Sequence, residues 1–328
     1  MGTAKRTASR TNLLLRSVCE RDIPDLAQLY NSIAAGAPLC PKVSEGHLRR
    51  DIFAGGMSTH GISFPVDPEL CLICYDRLEP VGFIQAGIPS RFTDDPSERN
   101  NDSTPVVRML IFPPDSPKVG ALLLYTVLER LAARELPPPL AFCDATGYPF
   151  AQARNGSLWD GHDHVSALLS EAGFAPNRTE LHLCLDVKNS PAAAPGGVHV
   201  AHNRFELWGG PAEEFKAYRD GGKIGHVMYL PLSALSGPEL DGDWYLQWLW
   251  VDPSWRRRGL GRALLGLATS RVADAGGRTL HLHVEQENAS AASLYTRVGW
   301  RRASLLHSWG FAEVVPQEDD PSNPQADV

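Results

Sequence analysis

The apolar run Trp244-Tyr245-Leu246-Gln247-Trp248-Leu249-Trp250-Val251 is followed closely by Arg256-Arg257-Arg258-Gly259-Leu260-Gly261, and then by a helix-like stretch from Arg262 to Ala275. A strand therefore feeds a glycine turn that opens a helix. Gly259 and Gly261 let the backbone turn tightly and approach a ligand with no Cβ in the way. The free N–H groups and positive dipole end of the helix favour phosphate. The segment is suited to a pyrophosphate.

Spacing narrows which pyrophosphate. A dinucleotide fingerprint needs G-x-G-x-x-G and an acid about 20 positions on. Here the third glycine is displaced to Gly266, and residues 276–284 contain no acid. No Gly-Lys-Ser/Thr follows the glycines, so a Walker loop is absent. Arg256-x-x-Gly259-x-Gly261 resembles the acyl-CoA signature R/Q-x-x-G-x-G/A of the GCN5-related N-acetyltransferases. The alternative for the hexapeptide alone is a basic turn with a solvated arginine face, which the match outweighs. Downstream, Thr279-Leu280-His281-Leu282-His283-Val284 alternates like a strand, with both histidines on the face opposite the apolar residues. Asn288-Ala289-Ser290-Ala291-Ala292-Ser293-Leu294-Tyr295 then leads to Val298-Gly299-Trp300. This resembles the family's second signature, N-x-x-A-x-x-L-Y-x-x-x-G-F, with tryptophan in the last place. Asn288 is a candidate N-cap. By itself Tyr295 fits a half-buried core aromatic; two signatures in order, joined by a strand, favour acyl-CoA chemistry.

Composition bounds the rest. The chain has 328 residues, 43% of them hydrophobic, enough for two ordinary domains. No apolar stretch is long enough to cross a bilayer, and Leu13-Leu14-Leu15 is too short for a signal-peptide core, so the cytoplasm is the expected compartment. A net charge of −7 disfavours non-specific nucleic-acid binding and favours cationic ligands. All six cysteines precede residue 185. Cys71 and Cys74 in one strand point to opposite faces, which excludes a shared metal ion or disulfide and predicts buried free thiols.

Lys188 to Gly197, rich in proline, alanine and glycine, interrupts two strand-like segments and is expected to be a linker. The expected organisation is a flexible tail (1–10), a first domain (11–187), a linker (188–197), a second domain (198–312) and an acidic, disordered tail (313–328). The first half repeats the order of elements that the resemblance implies: a strand at Leu14, a helix through Pro24, a hairpin from Leu70 to Gly87, a strand at Val106 to Phe112, and a long helix to Glu135. With Gly120 matched to Gly261, Asp115 stands where Arg256 is and Lys118 where Gly259 is, while Leu169 takes the place of Tyr295. The first domain is therefore expected to keep the fold and to have lost the cofactor site. The second half lacks an amphipathic helix pair between the linker and Trp244, so the first domain is expected to help close the second domain's acceptor site.

The resemblance implies an α/β fold with a mixed sheet, arranged as two tandem acyl-CoA N-acyltransferase domains. It implies acetyl-CoA as co-substrate, no metal, and an amine acceptor, small molecule or peptide, that attacks the thioester directly in a ternary complex. The resemblance implies that Arg256, Arg257, Arg258, Gly259, Leu260, Gly261 and Arg262 cradle the pyrophosphate. The pantetheine arm would lie along Leu249, Trp250 and Val251, with a main-chain N–H near Leu249 as the oxyanion donor, while Asn288 opens the second signature helix. Tyr295 matches the family's thiol-directed acid. The base is open among Glu285, His283 and Glu206; Gln247 cannot serve, because an amide does not accept a proton at neutral pH. Trp244, Trp248 and Trp250 are expected on one core-facing side of their strand, with an aromatic wall for the acceptor as the alternative. No nucleic-acid or membrane partner is expected, and two fused halves would replace a dimer, leaving a monomer. The rival readings are a non-catalytic acyl-CoA sensor or scaffold and an acyltransferase for another acyl group.

Overall fold

The computed structural model describes residues 12–53, 62–91, 104–187 and 195–312. The expected tails, and residues 188–194 of the expected linker, lie outside them. The N-terminal half contributes strands β1 (Leu13–Ser17), β2 (Cys71–Asp76), β3 (Glu79–Gly87), β4 (Val106–Ile111), β5 (Leu140–Ala141) and β6 (Phe174–Asp186). The C-terminal half contributes β7 (His199–Leu207), β8 (Gly210–Arg219), β9 (Gly222–Pro231), β10 (Asp243–Val251), β11 (Thr279–Glu285) and β12 (Arg301–Phe311). The helices are α1 (Ile23–Ile33), α2 (Glu45–Leu48), α3 (Pro117–Ala133), α4 (Asp163–Glu171), α5 (Ser233–Ser236), α6 (Leu260–Asp274) and α7 (Ala289–Arg297).

These strands, with the short Leu158–Trp159 segment beside β12, form one thirteen-stranded sheet in the order β1-β2-β3-β4-β5-β12-β6-β11-β10-β9-β8-β7. The order is symmetric about the β12–β6 pair. Each half ends in a strand that crosses to the other: β6 lies between β11 and β12, and β12 lies between β5 and β6. The halves thus share a continuous backbone ladder.

Turn chemistry sets the hairpins. Asp220 and Gly221 both have positive φ (51° and 79°), as do Trp208 and Gly209 (56° and 79°), so the two-residue connections β8–β9 and β7–β8 match the twist of their strands.

One face of the sheet carries α3 and α4 over the N-terminal half and α6 and α7 over the C-terminal half, with Leu123, Leu124 and Val127 in one core and Leu264, Ala268 and Val272 in the other. On the opposite face α1 and α2 cover the N-terminal half, burying Ile23, Leu26 and Leu48 against Cys71 and Phe83. Cys71 and Cys74 fall into the cores on opposite faces, both buried and unbridged, as strand alternation requires. Over the C-terminal half that second face has only α5 and a 3-10 turn of its own. Leu39 and Ala153 of the first half complete the cover, packing with Ala212, Leu230, Leu232, Leu235 and Tyr245. The Lys42 N–H donates to Glu239 Oε2 (2.9 Å), and the Ser236 hydroxyl donates to the Pro149 carbonyl (3.1 Å). Among the described residues no helix is long and apolar enough to cross a membrane.

Candidate active site

β10 and β11 run parallel but pair only at Asp243–Thr279, Trp244–Leu280 and Tyr245–His281; past Tyr245 they separate, opening a wedge. On its other side β10 stays bonded to β9, with a register shift that leaves Gln247 as an extra residue between Leu246 and Trp248. The bulge explains why the three tryptophans do not share a face. Trp244 packs with Leu246 in the core under α6. After the bulge Leu249 and Val251 take that side, and Trp248 and Trp250 turn to the opposite face. Trp248 is 54% exposed there, and Lys223 Nζ lies 5.6 Å from the centre of the Trp250 ring. The expectation of a single core-facing aromatic row is corrected: one inserted residue reverses the alternation.

At the wide end of the wedge the chain turns into α6. Arg257 (φ 62°) and Gly259 (φ 82°) are both left-handed, and the space a Cβ would occupy at Gly259 is open to 4 Å. At Gly261 a Cβ would sit 3.2 Å from Leu294 and 3.7 Å from Val251, so the turn also packs closely against α7 and β10. The first N–H groups of α6 have no partner within the helix and face the turn. Arg256, Arg257, Arg258 and Arg262 are exposed around it. Arg256 Nε donates to the Val251 carbonyl (3.2 Å), and Trp255 carries Arg258 on its ring at 5.1 Å, which orients part of the arginine cluster. Leu249, Trp250 and Val251 border the wedge, and Leu260 is buried beneath the turn. These residues fit an extended phosphate-bearing ligand: the amides are free, the approach is open and the surrounding charge is positive.

α7 closes the other side. Asn288 caps it, Oδ1 accepting from the Ala291 N–H at 3.1 Å. Tyr295 is 6% exposed, its ring 5.6 Å from that of Trp300, and no hydrogen bond ties its hydroxyl to a described residue. Burial pushes its pKa up to about 12, so the phenol stays protonated at neutral pH.

Polar groups gather on the opposite face of the wedge. The Tyr245 hydroxyl is 3.0 Å from His283 Nδ1, His182 Nε2 is 3.1 Å from His281 Nδ1, and His182 Nδ1 is 3.1 Å from the Ser304 hydroxyl. Burial, then the neighbouring His281, pushes His182 down to about 3, and burial also holds His283 well below the ordinary histidine range. Both imidazoles are neutral. Glu285 is half-exposed and pairs with Arg178 Nη2 at 3.0 Å, while Arg178 also meets Asp144 and Glu180, each at 3.2 Å. Of the three open base candidates, His283 and Glu285 lie near the wedge; Glu206 lies on the outer strand β7, separated from β10 by β8 and β9. Tyr245, His182 and Glu180 were not singled out from sequence. The last two reach this place only because β6 crosses from the other half, which no local pattern announces.

The N-terminal half has the equivalent wedge, since β4 and β5 pair only at Val106–Leu140 and Val107–Ala141. It is filled. Arg108 is buried, with Nε donating to the Thr146 carbonyl (2.6 Å), Nη2 donating to the Gly147 carbonyl (3.1 Å), and its guanidinium 3.8 Å from the centre of the Tyr148 ring. The His164 Nε2–H donates to the Phe112 carbonyl (3.0 Å), fastening α4 to the end of β4. The glycine turn is gone as well, because α3 begins at Pro117, which has no N–H to offer, and the helix already includes the position matched to Gly259. Gly120 is retained for packing: a Cβ there would meet the Phe112 ring at 2.5 Å.

Comparison with known proteins agrees with this geometry. Residues 189–300 match the acetyltransferase (GNAT) family model. The whole chain has the fold of a tandem GNAT protein: it matches a tandem GNAT protein from the clavulanic acid biosynthesis pathway over 91% of this chain and 98% of that one, with a TM-score of 0.62 at 13% identity. A GCN5-related N-acetyltransferase from Sphaerobacter thermophilus matches over 90% and 94%, with a TM-score of 0.57 at 14% identity. Among curated relatives, mycothiol acetyltransferase of Geodermatophilus obscurus is 35% identical over 106 residues, which is 32% of this chain and 33% of that protein. The [ribosomal protein bS18]-alanine N-acetyltransferase of Escherichia coli strain K12 is 39% identical over 59 residues, 18% of this chain and 40% of the relative. The matched region thus spans about a third of the first of these relatives and two fifths of the second.

Proposed function

We propose that the protein is an N-acetyltransferase that moves the acetyl group of acetyl-CoA to an amine in the C-terminal wedge. The observation that carries this reading is the separation of β10 from β11 beside the Gly259 turn, with the Tyr295 hydroxyl unengaged at its side. The pyrophosphate is held by the amides of residues 257–262 and by charge-assisted bonds from Arg256 and Arg258. The pantetheine arm follows the open side of Leu249, Trp250 and Val251, and a main-chain N–H beside the Gln247 bulge stabilises the oxyanion. The amine attacks the thioester directly while both substrates are bound, and Tyr295 protonates the departing thiolate. Trp248 and Trp250, turned to the face opposite α6, border the path of the acceptor.

Tyr295→Phe is expected to lower turnover by about 100-fold, the lower end of what a positioned acid supplies. Acetyl-CoA affinity should be unchanged, because the hydroxyl holds no protein partner. Steady-state kinetics with an amine panel, together with calorimetric titration, measure both. Unchanged turnover removes the tyrosine from the mechanism. Binding of acetyl-CoA by the unaltered protein, with no turnover of any amine, replaces the enzyme by an acyl-CoA sensor, and a parallel panel of acyl-CoA thioesters reads the acyl preference.

A further inference from the structure

Glu180 is 5% exposed on β6, the strand that the N-terminal half inserts beside β11. Its side chain lies on the face opposite α6 and α7, alternating with Leu181 and Leu183, which pack into the core on the helix side. Oε2 accepts from Asn155 Nδ2 at 2.6 Å and Oε1 accepts from Arg178 Nη2 at 3.2 Å, and both donors belong to the N-terminal half. A carboxylate has about four acceptor sites, so two donors leave it able to take a proton. His182, two residues along β6, pairs with His283 on β11, and His283 Nδ1 lies 3.0 Å from the Tyr245 hydroxyl at the apex of the wedge. Burial raises the Glu180 pKa from the ordinary carboxylate value, with Asn155 and Arg178 opposing that rise. Glu285, its register partner on β11, is half-exposed and held by Arg178.

The two faces of the wedge therefore carry different chemistry. Tyr295 enters from the helix face, while Tyr245, His283 and Glu180 stand on the other. We propose that Glu180 is the general base that takes the proton of the acceptor amine, directly or through one water, and that Tyr245, fixed by His283, positions the amine beside it. This rests on the acetyl-transfer reading above. Glu180 takes the proton of the ammonium group before attack; the freed nitrogen bonds to the acetyl carbon and sheds its second proton to solvent, while the C–S bond breaks and the thiolate takes the Tyr295 proton. Solvent then reprotonates the tyrosine and receives the proton held by the carboxyl group, so amine and thioester become amide and free thiol. The active site is assembled from both halves, and the N-terminal half is retained for a residue it supplies as well as for the wall it forms.

The test compares two small nucleophiles in the full-length protein: ethanolamine, which is protonated at neutral pH and needs a base, and hydroxylamine, which is largely unprotonated and does not. In Glu180→Gln, kcat with ethanolamine is expected to fall by about 100-fold or more. The rate with hydroxylamine should stay within roughly threefold of the unaltered protein, and calorimetric acetyl-CoA binding should be unchanged. Glu180→Asp keeps a carboxylate for Arg178, so it provides the same comparison if the glutamine variant does not fold, with a smaller loss confined to ethanolamine. Equal losses with both nucleophiles, or no loss with either, overturn the assignment. An unaltered protein that acetylates hydroxylamine but not ethanolamine has no working base and also overturns it. One that binds no acetyl-CoA, or acetylates neither of these nor any amine of the panel, overturns the acetyltransferase reading itself.

Discussion

Gly261→Asp is expected to weaken acetyl-CoA binding by roughly 100-fold, and titration calorimetry of the unaltered protein is expected to give one molecule per chain. Gly261 lies in the first turn of α6, where a carboxylate suits the helix dipole and the new Cβ meets only the flexible tip of Leu294 at 3.2 Å and the Val251 methyl at 3.7 Å. The fold should therefore persist, with little change in melting temperature. The new charge, however, faces the place proposed for the pyrophosphate, and juxtaposed like charges cost several kcal/mol, about 3 kcal/mol or roughly a 100-fold loss of affinity. A stoichiometry of two would mean that the N-terminal wedge opens despite Arg108 and the His164–Phe112 bond. Undiminished binding in the variant would move the cofactor away from the turn.

Cleaving the chain between residues 188 and 197 should leave both pieces bound to each other, while residues 198–328 expressed alone should not form a stable domain. β6 pairs with β11 from Thr179 side to the end of its ladder, Glu285–Glu180 through Thr279–Asp186, and with β12 from Arg301–Cys184 to Phe311–Phe174. Removing it exposes two strand edges and withdraws Leu181, Leu183 and Leu185 from the core under α6 and α7. Truncating one such buried leucine to alanine costs about 2–5 kcal/mol, so losing three together with a shared ladder exceeds the stability of an ordinary domain. Co-purification of the cleaved pieces and circular dichroism of the isolated C-terminal piece report the result. A cooperatively folding isolated piece would show that β12 can satisfy β11 without β6.

The sequence was most legible where chemistry is written in contiguous residues. The Gly259 turn, the Asn288 cap and the histidines alternating along Thr279 to Val284 lie where spacing put them, and Asp115 and Lys118 marked the lost turn in the first half. What spacing could not carry was anything that depends on a single inserted residue or on strand order. Gln247 looks like an ordinary strand residue, yet as a bulge it turns Trp248 and Trp250 away from the side that Trp244 faces. Glu180 and His182 sit in the strand before the linker, more than 60 residues ahead of the wedge they face, and only the exchange of β6 and β12 brings them there. Leu39 and Ala153, which stand in for the missing helix pair, are similarly remote in sequence.

The same crossing of strands has a consequence for synthesis. A chain leaves the ribosome from its N-terminus, and domains ordinarily fold in that order. Here the strands that flank β6 are β11 and β12, and β12 also flanks β5 and ends at Phe311, so the first half waits with one edge of β5 and both edges of β6 unpaired until nearly all of the second half has been made. Long-range pairing of this kind slows folding and leaves edges open meanwhile. Pulse-labelled nascent chains halted before residue 301 should accordingly remain protease-sensitive across β5 and β6, and become resistant together with the C-terminal half in a single step.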